Sequence, residues 1–164
     1  MSGTQPAPEF ELPNVGPGPD PCSLAALAET ESFVVCCFHH DHDCADCRSQ
    51  AKRAGERYAA FRARDAVAVS VLPEPRERAE EWQDRFELPH PLLVDTDATT
   101  SDAYGQPARL TFLDELPIFG RLPAVVVVDA RGSTPEIGWT YRGRSSWDHA
   151  SMTTVLDGLD ELVE

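Results

Sequence analysis

The sequence predicts an α/β domain with a mixed central β-sheet flanked by helices, and three observations carry that prediction. Short β-branched apolar runs, Ser32–Phe38, Ala66–Leu72 and Pro123–Asp129, alternate with stretches rich in Ala, Arg, Lys and Glu. The run at 123–129 is followed by Arg131-Gly132 and a second strand-like segment, Ile137–Tyr141. The last segment, Trp147–Val163, places Leu156, Leu159 and Leu162 at helical spacing. Strands alternating with helices and then a hairpin with a closing helix imply a sheet covered on both faces.

Taken in order, residues 1–22 (through PAPEFELPNVGPGPDP) are rich in Pro and Gly and read as an extended lead-in with one short strand near Phe10–Leu12. SFVVCCF (32–38) is almost wholly apolar, the mark of a central strand buried on both faces. A helix is expected from Cys44 to about Arg64, with Tyr58 and Phe61 on its buried side. After the strand at 66–72, Pro75 suits the first turn of an amphipathic helix ending at Phe86. Leu92–Val94 reads as a short strand, Thr100–Tyr104 as a short helix closed by Gly105, and 106–120 as a loop or insertion. Residues 1–164 are thus expected to form a single domain.

Composition narrows the function. The chain carries 28 acidic and 14 basic residues, a net charge of −14, and Lys52 is its single lysine. Phosphate neutralisation needs basic patches, so neither nucleic acid nor an anionic membrane is expected as a partner. The acid excess resembles that of proteins from salt-loving archaea. The first residues lack the apolar core of a signal peptide, and no apolar run approaches the ~20 residues of a membrane span. A cytoplasmic location is therefore expected. In a reducing compartment, five cysteines are not a structural framework, and a close CxxC pair is catalytic or metal-binding.

That pair is Cys44-Ala45-Asp46-Cys47, placed between a central strand ending at Phe38 and the following helix. Open α/β sheets set their sites at such carboxyl ends. A cysteine in the first helical turn faces unpaired backbone N–H groups, which favour the thiolate. Cys44 is so placed, and Cys47 lies three residues on, on the same face. Thiolate attack by Cys44 on a disulfide, with resolution by Cys47, needs no cofactor. Asp43 and Asp46 are expected to oppose thiolate formation, and Arg48 with the histidines, His42 among them, to favour it. Leu122-Pro123 opens the strongest strand, where proline is tolerated only at a first residue or an edge.

The order of elements resembles the thioredoxin-like fold, in which a cis-proline faces the CxxC. By that resemblance Pro123 is cis and shapes a substrate groove, and the Leu122 backbone pairs with an extended substrate. Ala7-Pro8-Glu9-Phe10-Glu11-Leu12-Pro13, Cys22-Ser23-Leu24, and Pro91-Leu92-Leu93-Val94-Asp95 with Ala103-Tyr104-Gly105 resemble segments of the peroxiredoxins of the alkyl hydroperoxide reductase and thiol-specific antioxidant group. Aligned with that group, Cys47 falls at the peroxidatic cysteine and Cys44 at the threonine before it. His40 replaces a proline, and Pro123 stands where an arginine is expected, with Arg121 two residues earlier. Both readings imply a disulfide or a hydroperoxide as substrate, a thioredoxin-type reductant, and a monomer or homodimer. A thiol–disulfide oxidoreductase is preferred over a thiol peroxidase using Cys47, and which sulfur attacks first stays open.

A metal site is the reading from another class, with His39, His40, His42, Cys44 and Cys47 as ligands; His90 and His149 stand isolated. Cys36 and Cys37 read as small buried hydrophobes. Cys22 follows Pro21 in a segment expected to be exposed. Trp82, Trp139 and Trp147 read as packing residues, with Trp139–Gly143 a candidate lining of the site.

Overall fold

The computed structural model describes residues 5–39, 44–105, 122–144 and 148–163. The apolar runs become strands because their β-branched side chains pack on both faces of a pleated sheet. These are β4 (Phe33–Phe38), β5 (Ala66–Leu72), β6 (Leu92–Val94) and β7 (Ala124–Asp129), and all but Asp129 are buried. With β1 (Gln5–Pro6) and β8 (Glu136–Arg142) they form a six-stranded sheet in the order β1-β8-β7-β4-β5-β6. β4 runs parallel to β5 and antiparallel to β7, so the sheet is mixed as expected. β2 (Glu11–Leu12) and β3 (Cys22–Ser23) pair separately.

Alternation along β4 divides the core. Val34, Cys36 and Phe38 pack with Phe10, Cys22, Leu24, Leu27 and Tyr104 on one face. Phe33, Val35 and Cys37 pack with Phe61, Val155, Leu156 and Leu159 on the other. Cys36 and Cys37 are buried hydrophobes, and burial pushes both thiols up. Cys22, expected to be exposed, is fully buried at the β2–β3 ladder, where Leu12 pairs with it and Phe10 packs beside it.

Helix α1 (Leu24–Thr30) has no counterpart in the sequence reading; Ser23 caps it by accepting the Ala26 N–H at 3.1 Å, and Leu24 and Leu27 are buried. Two of the resembling segments meet in space. Tyr104 follows α5 (Thr99–Ala103), donates its hydroxyl to Pro8 O at 2.6 Å, and packs on Phe10 and Phe38. The lead-in is docked rather than loose, because buried Asn14 accepts from Gly16 N and Leu92 N and donates to Pro17 O and Pro19 O.

The helix expected from 44 to 64 is two, α2 (Ala45–Glu56) and α3 (Tyr58–Arg62), because Arg57 leaves the helical region at φ −98°, ψ 14°. α4 (Arg76–Phe86) ends at Phe86 as expected, with Pro75 as its extended N-cap rather than in its first turn. The last helix, α6 (Met152–Val163), begins five residues later than the leucine spacing suggested. Ser151 Oγ accepts the Thr154 N–H at 3.1 Å, so the helix is capped there and residues 148–150 run outside it. The segment 106–121 and Trp147 lie outside the described residues.

α6 approaches β8 closely because Gly158 leaves room for the Trp139 indole; a Cβ there would overlap the ring. Gly158→Ala sets a helix-propensity gain of ~1 kcal/mol against an overpacking cost of ~1–3 kcal/mol. The overlap dominates because the half-buried indole is itself packed against the core. Thermal melts are expected to show a lower Tm, by about 2–4 °C per kcal/mol lost. A raised Tm would show that Trp139 yields without cost.

Candidate active site

The site forms where β4 ends and α2 begins. Four α2 residues on one stripe, Cys47, Gln50, Ala51 and Ala54, are buried, and the small alanines let the helix lie close to the sheet. Cys44 is the N-cap of α2, with extended backbone (φ −70°, ψ 112°), and its Sγ accepts the Cys47 N–H at 3.1 Å. An N-cap acceptor satisfies one of the helix's unpaired donors and faces the positive end of its dipole. No disulfide joins the two cysteines. Cys44 is half-buried, whereas Cys47 is wholly enclosed.

These surroundings hold Cys44 at about 5, far below the usual thiol range. The Cys47 thiol donating toward it contributes most, partial burial opposes, and the His149 imidazole and the Cys47 backbone N–H add to the shift. The negative charge is thereby placed on Cys44, with Cys47 as its proton donor. Asp46 and Arg48 are not among the main contributors. Asp46 is exposed in the first turn of α2, and Arg48 is half-buried, its N–H bonded to Cys44 O at 3.0 Å. His40, Asp41, His42 and Asp43 lie outside the described residues.

His149 is the residue that sequence reasoning missed. Its Nε2 lies 3.2 Å from Cys47 Sγ, although 102 residues separate them in the chain. Two anchors fix it there. On one side the Asp148 carboxylate accepts from Tyr141 Oη at 2.6 Å and from Arg144 N at 2.9 Å, tying the segment to β8. The Tyr141 hydroxyl and then the Arg144 N–H hold that carboxyl below its usual range. On the other side Gln50 Nε2 donates to Ala150 O at 3.1 Å, tying it to α2. Trp139–Gly143 therefore reaches the site through Tyr141, which positions the loop that carries His149.

Leu122 and Pro123 are both buried at the start of β7. The expected cis bond between them is absent; among the described residues the cis peptide is Asp20–Pro21. An X-Pro bond is cis in only ~5% of folded cases, and Leu122–Pro123 is among the trans majority. Pro123 O accepts the Gly143 N–H at 2.8 Å, and a Cβ on Gly143 would sit 2.9 Å from the Pro123 ring and 2.5 Å from Asp148 O. Glycine at 143 thus allows the chain around Asp148 to settle beside Pro123.

The expected metal set is also revised. His39 is fully buried with its ring edge-on to Trp82 at 5.3 Å, and burial, with His149 and His90, lowers it to about 3. It is not in the cluster of possible ligand atoms. Among the described residues that cluster is Cys44, Cys47 and His149, all within 4.8 Å of one another. Two sulfurs and an imidazole suit thiol chemistry and equally the softer metal ions.

Two solved structures share the architecture. Peroxidoxin BcpB from Mycobacterium tuberculosis superposes with a TM-score of 0.78 at 20% identity, covering 99% of this chain and 98% of that one. The reduced 2-Cys peroxiredoxin of Plasmodium vivax does so with a TM-score of 0.78 at 16% identity, covering 96% and 94%. At such identities the likeness is one of fold, a thioredoxin-like sheet flanked by helices. No curated protein matches the chain. No described helix is long and apolar enough to cross a membrane. The model of the AhpC/TSA family matches residues 4–134. With most of its length matched, the chain belongs to the AhpC/TSA family and is a thiol-based oxidoreductase.

Proposed function

We propose that this protein is a thiol–disulfide oxidoreductase in which Cys44 attacks and Cys47 resolves. The observation that carries this reading is the division of labour between the sulfurs: Cys44 is accessible, caps α2 and holds charge, while Cys47 is enclosed and protonated toward it. The Cys44 thiolate attacks one sulfur of a substrate disulfide, forming a mixed disulfide and expelling a thiolate that takes a proton from solvent. Cys47, giving its proton to His149, attacks the Cys44 sulfur, forms the Cys44–Cys47 disulfide and expels the second thiolate. The dithiol loses two electrons and the substrate gains two.

The test traps the intermediate. Cys47→Ser cannot resolve, so mass spectrometry after exposure to a small disulfide is expected to find one half of it bound to Cys44. An unmodified Cys44 in that variant contradicts the reading.

A thiol peroxidase is the second reading, favoured by family membership and by the His149 contact at Cys47. There the Cys47 thiolate attacks a peroxide oxygen, becomes a sulfenic acid and releases an alcohol or water, and Cys44 condenses with it to a disulfide and water. A sulfenic acid formed on Cys47 by peroxide in Cys44→Ser, with no reaction in Cys47→Ser, would establish that order instead.

A further inference from the structure

Beside the dithiol, on the face of α2 that carries residues 46, 49, 50 and 53, lies a cleft of about 210 Å³, closed opposite by His149–Met152. Its volume is below the roughly 300 Å³ at which pockets for whole drug-sized ligands begin. It therefore suits a group of a few amino-acid residues rather than a folded partner. Its polar lining is ordered by charge. Asp46 lies two residues beyond Cys44, Ser49 and Gln50 stand between, and Arg53 closes the far end. Gln50 is 5% exposed, its Nε2 is engaged by Ala150 O, and its Oε1 has no partner among the described residues.

Two features of this cleft point to the same ligand. Asp46 and Arg53 are seven residues apart on one helix, about 10 Å along its axis. Two or three extended residues, at ~3.3 Å each, span that distance. The second feature is the charge of the surrounding segment. In a chain of net charge −14, residues 45–64 hold Arg48, Lys52, Arg53, Arg57, Arg62 and Arg64 against Asp46 and Glu56. Arg62 and Arg64 are matched by Glu31 and Asp160, whereas Arg53 faces the cleft. Residues 45–64 are thus a basic segment on an acidic protein, and within it the site helix α2 keeps a small positive excess, Arg48, Lys52 and Arg53 against Asp46 and Glu56, which favours an anionic substrate beside Cys44 over the rest of the surface.

We propose that the cleft seats one half of a short-peptide disulfide, with its amino end at Asp46, its terminal carboxylate at Arg53, and its cysteine nearest Cys44. The proposal rests on the dithiol reading above and specifies its substrate. Thiolate exchange at Cys44 and resolution by Cys47 then release two molecules of the free peptide thiol, one per electron accepted.

The test is the rate at which the reduced protein is oxidised by four probes at low ionic strength: oxidised glutathione, uncharged hydroxyethyl disulfide, cationic cystamine and insulin. Oxidised glutathione is expected to react fastest, and added salt to slow it selectively. Losing a charge-assisted hydrogen bond at Arg53→Ala is expected to lower the ratio of the glutathione to the hydroxyethyl rate about tenfold. Arg53→Glu is expected to shift the preference toward cystamine. Equal rates for oxidised glutathione and hydroxyethyl disulfide, or a preference for insulin, either of them unmoved by Arg53→Ala, overturn the cleft assignment and leave the dithiol chemistry standing. Failure of all four probes to oxidise the protein removes the dithiol reading, and this proposal with it.

Discussion

Replacing Cys44 with serine is expected to lower disulfide reduction by more than about 10³-fold, because a hydroxyl is a poor substitute for a thiolate nucleophile. The substitution separates chemistry from folding unusually well. Serine is among the preferred N-cap residues, so the introduced hydroxyl takes over the Cys47 N–H and α2 keeps its start. Circular dichroism should therefore be unchanged while single-turnover reduction of a small disulfide is lost. Retention of activity within tenfold would mean that the enclosed Cys47 attacks first and that Cys44 only caps the helix.

His149→Ala is expected to slow resolution of the mixed disulfide by about 10²-fold, the lower end of what a positioned proton acceptor contributes. The reason is the contact at Cys47 Sγ: the imidazole is placed to take the Cys47 proton at the stage when the Cys44 sulfur, bonded to substrate, no longer can. Rapid-quench mass spectrometry should show the Cys44 adduct accumulating before the internal disulfide forms. The same variant removes a group that helps hold Cys44 at about 5, so the pH at which Cys44 becomes reactive should rise. Asp148→Asn, which keeps the imidazole but weakens its anchor to Tyr141 and Arg144, should give a smaller slowing. An adduct that resolves at the native rate in His149→Ala would assign the imidazole a packing role only.

How much of this was legible in the sequence follows from where the determining contacts lie. β4, β5 and β7 were readable because unbroken β-branched runs bury both faces, and β6 because Leu92–Val94 is short, apolar and bounded by Pro91 and Asp95. Helix α1 went unread because it is short and falls between the Pro- and Gly-rich lead-in and the first long strand, although Ser23 followed by Leu24 and Leu27 is a capping serine before an apolar pair. The start of α6 was misplaced because the leucine spacing says where a helix continues, whereas the capping oxygen of Ser151 says where it begins. That shift matters most for the site, since it releases His149 from the helix.

The cysteine pair was legible because its members are three residues apart and sit at a strand-to-helix junction. His149 was not, since no local spacing links position 149 to position 47; the two meet only when β8 and α6 are docked on the sheet. Cys22 was misread for a related reason: Pro21 suggests an exposed turn, but pairing of β3 with β2 buries the residue that follows it. The cis-proline expectation came from resemblance alone, and Pro123 instead serves the packing around Gly143 and Asp148.

The central claim, that Cys44 is the charged and attacking sulfur, is tested most directly by alkylating the reduced protein across pH and locating the label by mass spectrometry. The Cys44 thiolate has its pKa lowered from the ordinary 9.0 to about 5. Its alkylation rate should therefore rise through pH 5 and level off near neutrality, with Cys44 labelled ahead of Cys47. A label that falls first on Cys47, or a Cys44 rate that climbs only near pH 9, would contradict it.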